Sequence, residues 1–390
     1  PARPHGKIKK TKKRKKMRVV VLSVGGAEVA ELEAEARWGV KEVLAEVQKQ
    51  HTVPAGARIQ VFHGLSEMLA GSSLADTGVS EGSQLTLVVS PPRRLLTASS
   101  DGTAKLWDAV SGECLHTFDS RGFLARWLWR SEVNAGCAAF SPDGQQVLTA
   151  ISSDGTALLW DVGSGKCLRT LKGHEKYVAS AAFSPDGRRM VTASFDRTAK
   201  LWCAASGECL HTLQGHEGYV FSAAFSPDGQ QVITGSRDKT AKLWDADSGE
   251  CLHTFQGDGD VSSASFSPDA QQVVARDNGG GGLVKLWDAT SRECLHTLEI
   301  HEDMGVSAAF SPDGRQVVAP ARWGMASVLD VASGEHTRFL GGHRDHMLFA
   351  AFSPDGRQVV TTSVDMTAKL WDAATGECLC TFEGHTGEVW

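Results

Sequence analysis

Residues 183–202 read FSPDGRRMVTASFDRTAKLW. Two short runs of alternating character, RMVTAS and TAKLW, are separated by a polar turn and preceded by a Ser-Pro-Asp-Gly turn. Alternation with period two, bounded by Gly, Pro, Asp and Ser, predicts half-buried strands joined by tight turns. The stretch recurs. FSPD begins at Phe140, Phe183, Phe225, Phe266, Phe310 and Phe352, and the Leu-Trp-Asp type strand ends on Trp107, Trp160, Trp202, Trp244, Trp287, Leu329 and Trp371. The period is 41–44 residues except for one 53-residue interval before Trp160. A unit of this size cannot bury both faces of its own sheet, so it must stack on its neighbours.

The period, the Gly-His marks and the Trp-Asp strands resemble the WD-repeat family. The closely worded FSPDG, LWD and SGECL segments are also similar to the repeat arrays of fungal incompatibility-type proteins. The resemblance implies a seven-bladed β-propeller over 90–390, four strands to a blade. It further implies a buried hydrogen-bonded set in each blade. The matching residues are His174, Ser194, Asp196 and Trp202; His216, Ser236, Asp238 and Trp244; and His343, Ser363, Asp365 and Trp371. Despite their Ser-His-Asp composition these are expected to be structural, since a repeated buried polar set is one that must be satisfied in every unit. The first blade has Ser99, Asp101 and Trp107 but no Gly-His before them. A spare Gly384-His385 stands near the other end, followed by TGEVW, which reads as the start of an innermost strand at which the sequence stops. His385 is therefore expected to complete the first blade.

Upstream, RVVVLSV (18–24), Gly25-Gly26, a second strand near 27–33, a helix face at Val40, Val43, Leu44 and Val47, IQVF (59–62) and QLTLVV (84–89) spell a small α+β unit. Pro54 closes the helical pattern. The order resembles a ubiquitin-like (β-grasp) domain over 17–89. That resemblance implies an apolar partner patch at Val24, Val61 and Val88, which plain strand alternation would also produce. The segment runs into Ser90-Pro91-Pro92-Arg93-Arg94 rather than a Gly-Gly end, so the domain is expected to be built in and not conjugated. Residues 85–92, LTLVVSPP, are candidates both for this sheet and for the first blade.

The formal charge of −6 hides a division. Residues 1–16 carry nine basic and no acidic side chains, whereas 17–89 and 90–390 sum to −4 and −11. Such a block repels itself and is expected to be a disordered basic tail, or sequence lying upstream of Met17. It is the one stretch suited to nucleic acid or to nuclear import. Nine cysteines in 390 residues point to a reducing compartment, and no apolar run approaches the ~18 residues of a spanning helix. The composition fits a monomeric cytoplasmic chain, with nuclear entry the alternative.

Departures from the repeat carry the functional expectations. An insertion at 121–131, RGFLARWLWRS, brings Phe123, Leu124, Trp127, Leu128 and Trp129 between arginines, a composition typical of binding hot spots. The alternatives are packing against the ubiquitin-like domain or a retained intron. Tyr177, Phe195, Tyr219, Arg237 and His346 are expected on the same loop face. The fifth repeat has Asp258 for histidine and a Gly-rich turn. The sixth, PARWGMASVLD, loses Ser, Asp and Trp together, leaving His301 without partners and the blade soft. VGSGKC (162–167) ends like a phosphate-binding loop, but Trp160 stands at its first Gly and Cys167 at its Ser/Thr. One cysteine per repeat, each on a different blade, cannot gather round a metal. No cofactor, metal or catalytic set is expected. The sequence reads as a non-catalytic interaction scaffold for protein partners, with ubiquitin-ligase or proteasome components as the alternative and nucleic acid only through 1–16.

Overall fold

The computed structural model describes residues 16–23, 28–50, 58–64, 66–69, 72–90, 93–120, 137–150, 154–278, 282–300 and 305–390. The chain divides into two compact units, 1–93 and 94–390.

In the first unit the strands are β1 (Lys16–Ser23), β2 (Glu28–Glu35), β3 (Arg58–His63), β4 (Ser66–Glu67) and β5 (Gln84–Ser90), with helix α1 (Val40–Gln50) between β2 and β3. They form one sheet in the order β2-β1-β5-β3-β4, in which β1 and β5 run parallel. Glu42 starts the helix by accepting the Gly39 N–H at 2.9 Å. Val43 and Val47, four apart on one helix face, pack on Val19, Val21, Leu32, Val61 and Leu85. Strand alternation then decides the other face. Leu22 is opposite Thr86, and Thr86 is opposite Phe62, so Leu22 and Phe62 share the surface away from the helix. The patch expectation is corrected here: Val61 is 0% exposed and belongs to the core. A shift of one residue along a strand exchanges faces. Val24 lies outside the described residues, as does the side chain of Val88. Of the shared tract, Leu85–Ser90 pair with β1 and β3, and residues 91–92 lie outside the described residues.

The second unit is a succession of antiparallel sheets. Six have four strands, as in the third, Val178–Phe183, Arg189–Ser194, Ala199–Cys203 and Cys209–Leu213. The second strand of each is buried along almost its whole length, because neighbouring sheets cover both its faces; the fourth strand is largely exposed. Each FSPD turn is locked by its own side chains. Ser184 Oγ donates to Asp186 at 2.6 Å and accepts the Arg189 N–H at 2.9 Å, and Asp186 accepts the Arg188 N–H at 3.0 Å. A bulge precedes the repeat tryptophan where the third and fourth strands pair, as at Leu201/Trp202 and Leu243/Trp244.

First strands of successive sheets lie side by side, joined by serines. Ser222 Oγ accepts the Ala264 N–H, Ser263 Oγ that of Ala308, and Ser307 Oγ that of Ala350, at 2.9–3.0 Å. At the periphery the turn after each tryptophan strand abuts the fourth strand of the preceding sheet. Gly165, at φ +66°, has no room for a Cβ beside His116. The last sheet meets the first in the same way, since a Cβ on Gly112 would lie 2.9 Å from Cys380 Sγ. The first sheet has three strands, Arg94–Ala98, Thr103–Asp108 and Cys114–Asp119. Its inner edge is met by Val389, bridged to Ser99, while the Trp390 N–H donates to the Ala98 carbonyl at 2.8 Å. In the sixth sheet the first strand is only Ala309–Phe310. The unit is mainly β and consistent with a β-propeller.

Candidate functional site

Four tryptophans anchor identical polar chains. Trp202 Nε1–H donates to Thr192 Oγ1 at 2.8 Å, which lies 2.8 Å from His174 Nε2; His174 Nδ1 lies 2.7 Å from Asp196 Oδ2. A carboxylate only accepts, so Nδ1 carries the imidazole proton and Nε2 takes the threonine hydroxyl. The same links join Trp244, Thr234, His216 and Asp238, and Trp371, Thr361, His343 and Asp365. They also join Trp107, Thr97, His385 and Asp101, with His385 Nδ1 at 3.0 Å from Asp101 and the Trp107 and His385 rings 6.0 Å apart.

The hydroxyl between indole and imidazole is a threonine in all four, not the serine two residues later. Ser99, Ser194, Ser236 and Ser363 instead accept the N–H of Asp101, Asp196, Asp238 and Asp365 at 3.0–3.2 Å. Burial alone would raise the Asp365 carboxyl, but hydrogen bonds from Thr367, the Arg344 N–H and His343 bring it down to about 2. Asp101, Asp196 and Asp238 move the same way for the same reasons. Burial pushes His216 and His343 down, against the pull of their aspartates. These groups are buried and mutually spent, with no free nucleophile or base.

The fifth sheet replaces this chain with charges. Lys285 Nζ lies 2.7 Å from Asp258 and 3.7 Å from Asp277, whose carboxylate also accepts the N–H groups of Asp258 and Gly259.

Of the expected contact residues, Tyr177, Tyr219 and His346 each directly precede a first strand, and Phe195 and Arg237 each directly follow a second one. Each pair is tied through its backbone: Phe195 N–H to Tyr177, Arg237 N–H to Tyr219, and Val364 N–H to His346, at 2.8–3.0 Å. Phe195 and Tyr219 stack with centroids 4.7 Å apart and planes 4° from parallel, and Tyr177 meets Phe195 edge-on at 5.2 Å. The Arg237 guanidinium caps the Tyr219 ring at 5.5 Å, with Lys176 at 5.8 Å, and Arg237 reaches Asp260 at 3.8 Å. Burial of its hydroxyl pushes the Tyr177 phenol well up. His346 is exposed and stands apart from this stack, on the last sheet. Phe123, Leu124, Trp127, Leu128 and Trp129 lie outside the described residues. Three rings that sequence reading passed over, Phe221, Phe349 and Trp390, line a cavity together with first-strand residues and with Leu96, Ala98, Val360 and Thr362 of the second strands of the first and last sheets. Phe221 replaces the small residue seen at Ala179 and Ser262, and Phe349 the serine seen at Ser180, Ser222, Ser263 and Ser307, a signal visible once the repeats are aligned.

Among the described residues no group of three or more His, Cys, Asp or Glu could hold a metal, and no helix is long and apolar enough to cross a membrane. What the rim offers is a rigid aromatic and guanidinium surface. The WD domain, G-beta repeat model matches residues 78–108, 128–161, 165–203, 207–245, 249–288, 292–327 and 334–372. The chain belongs to this WD-repeat family. The first match takes in part of β5, although those residues pair within the small sheet.

Among curated proteins, 89 residues are 33% identical to nuclear distribution protein nudF of Aspergillus niger, covering 23% of this chain and 18% of that one. Autophagy-related protein 16 of Arabidopsis thaliana is 34% identical over 104 residues, 27% of this chain and 18% of that protein. The human WD repeat and SOCS box-containing protein 1 is 31% identical over 90 residues, 23% and 19% of the two chains. The chain thus spans under a fifth of the length of these relatives.

Proposed function

We propose that the protein is a non-catalytic scaffold whose repeats close into a seven-bladed propeller and hold a protein partner on the rim around Phe195. The observation that carries this reading is the Tyr177–Phe195–Tyr219 stack capped by Arg237. Aromatic side chains and arginine dominate binding energy at protein interfaces because they desolvate large areas at small entropic cost. Here the rings are already ordered by one another, so little freedom remains to be lost on binding. The test is affinity capture with the whole chain and with Phe195→Ala/Arg237→Ala, followed by mass spectrometry. Loss of a defined partner set from a variant with unchanged thermal unfolding supports the reading; an identical partner set overturns it.

A second reading joins the first unit to ubiquitin chemistry, with the repeats as substrate receptor. What supports it is the order β2-β1-β5-β3-β4 with β1 parallel to β5 and one packed helix, which resembles a ubiquitin-like domain, and the SOCS-box relative. The surface for such a partner would be the row Leu22, Thr86 and Phe62 rather than Val61. Association with ligase or proteasome subunits that survives Leu22→Asp/Phe62→Asp would count against this surface.

A further inference from the structure

Lys176 and Arg237 are departures from the repeat. Lys176 occupies the place held by Gly218, Gly259, Asp345 and Gly387 at other turns, and Arg237 that of Phe195, Asn278, Val364 and Ser100. Neither side chain serves the tryptophan-to-aspartate chains of its sheet. Yet both cations converge on one ring: the Lys176 ammonium lies 5.8 Å from the Tyr219 centroid and the Arg237 guanidinium 5.5 Å. Each gains from the negative face of the ring, but two like charges held together repel unless an anion joins them. The carboxylate at hand is Asp260, 3.8 Å from Arg237 Nε and so beyond hydrogen-bond distance, with the two side chains 60% and 42% exposed. Lys176 is exposed, and among the described residues it has no carboxylate within ion-pairing distance.

An apolar strip lies beside these charges. Phe195 stacks on Tyr219, and Tyr177 and Phe221 meet Phe195 edge-on at 5.2 and 5.8 Å. Phe195 and Tyr219 are only half-buried, so part of each ring stays open to a ligand. A ligand that fits both features carries one or two carboxylates next to a large apolar side chain. A nucleic-acid strand fits less well. Duplex DNA bears a negative charge about every 1.7 Å, and such a row would run over Glu175, Glu217 and Asp260, which stand in the turns at this same end of the sheets. A peptide can place its carboxylates singly.

Building on the rim as a partner surface, we propose that it takes an acidic peptide segment, whose carboxylates reach Lys176 and Arg237 and whose apolar side chain lies against Phe195 and Tyr219. Asp260 then competes with the segment for Arg237, and the site binds less tightly for its presence.

The probe is a library of random peptides, displayed and selected against the full chain, with the recovered peptides then synthesised and their affinities measured. They are expected to carry Asp or Glu next to a large apolar residue, and to bind more weakly when those acids are changed to amides. Lys176→Gln and Arg237→Gln should each weaken them about three-fold, the size of one exposed ion pair. Asp260→Asn should tighten them by about the same factor, a gain that no misfolded variant can give. Arg357→Gln, in the turn at the opposite end of the last sheet, should leave them unchanged. Neutral or basic peptides that lose affinity in Phe195→Ala would overturn the acidic chemistry and leave the rim standing. Peptides indifferent to Phe195→Ala and Lys176→Gln alike would overturn both. Acidic peptides that Asp260→Asn weakens or leaves unchanged would refute the proposal, as would the recovery of no peptide, with capture from lysate still deciding the rim. Single-stranded DNA that displaces the peptides, with the same dependence on Lys176 and Arg237, would put nucleic acid in their place.

Discussion

Thr192 and Ser194 lie two residues apart on one strand, both wholly buried, and do different work. The threonine joins the Trp202 indole to His174, while the serine holds the turn at Asp196 and the Lys176 carbonyl. Thr192→Val would strand both an indole N–H and an imidazole nitrogen in the core. Each orphaned group costs about 1–3 kcal/mol, so a loss of roughly 2–4 kcal/mol is expected by chemical denaturation. Thr192→Ser should recover most of it, and Ser194→Ala should cost about 1 kcal/mol. Equal effects of the valine and alanine variants would reverse these roles. The pH dependence follows from the same chain. His216 and His343 are held below their ordinary value, so the folded state favours them neutral, and stability falls as pH drops through about 6.5. The aspartates are held down, so their contribution is present above about 4 and is lost as pH falls toward their folded values. Melting temperature should therefore be flat from pH 7 to 8 and decline in two stages below. A rise between pH 6 and 5 would contradict this.

Among the elements, the fifth sheet departs furthest from its neighbours. Lys242 and Lys369, at the repeat position of Lys285, reach neutral hydroxyls, of Thr254 and Thr381. Lys285 turns to Asp258 and Asp277, with its side chain only 9% exposed. Asp258 is 66% exposed but Asp277 is wholly buried, so removing the lysine takes a cation away from a buried carboxylate, which costs about 3 kcal/mol or more. Lys285→Met should thus destabilise by roughly 3 kcal/mol, and Lys242→Met by less than about 1 kcal/mol, near the value of an ordinary hydrogen bond. The same sheet has Arg292, at φ +67°, where six other repeats have glycine in the turn, so Arg292→Gly is expected to gain about 0.5–1 kcal/mol by relieving a left-handed residue. Sequence made the regular sheets legible because strand period, turn chemistry and repeat spacing all agree, as in FSPDGRRMVTAS. It failed where two residues satisfied one pattern. Thr192 and Ser194 alternate in phase, and only the indole position separates them. LTLVVS suits either of two sheets until its pairing with β1 and β3 is seen. Val61 and Phe62 are both apolar, and register alone sends one to the core and one to the surface. Asp258 showed that a histidine was missing, yet nothing local announced that a lysine some 27 positions later would fill its space.

At the scale of the whole molecule, the second unit is a cycle of similar contacts in which the last sheet must find the first. Its junction is made by residues 384–390. His385 completes the Trp107 chain, Val389 packs with Trp107, Ala368, Leu370 and Phe382, and the Val389 N–H reaches the Ser363 carbonyl at 3.1 Å. Loop-closure entropy is highest for this contact, because His385 and Asp101 are separated by 284 residues. A repeat array otherwise behaves as a sum of units and neighbour interfaces, so damage at one interface stays local unless the cycle depends on it. The two cases can be separated by comparing His216→Ala, within the array, with His385→Ala, at the junction. Both delete the same imidazole bridge between a threonine and an aspartate. By amide hydrogen exchange, His216→Ala is expected to lose protection only in 178–256. His385→Ala should lose it on both sides of the junction, in 94–108 and 358–372, and spread next to the sixth sheet, whose first strand has two residues. Equal, local losses in the two variants would mean that the junction is one interface among seven and that closure adds nothing to the stability of the rest.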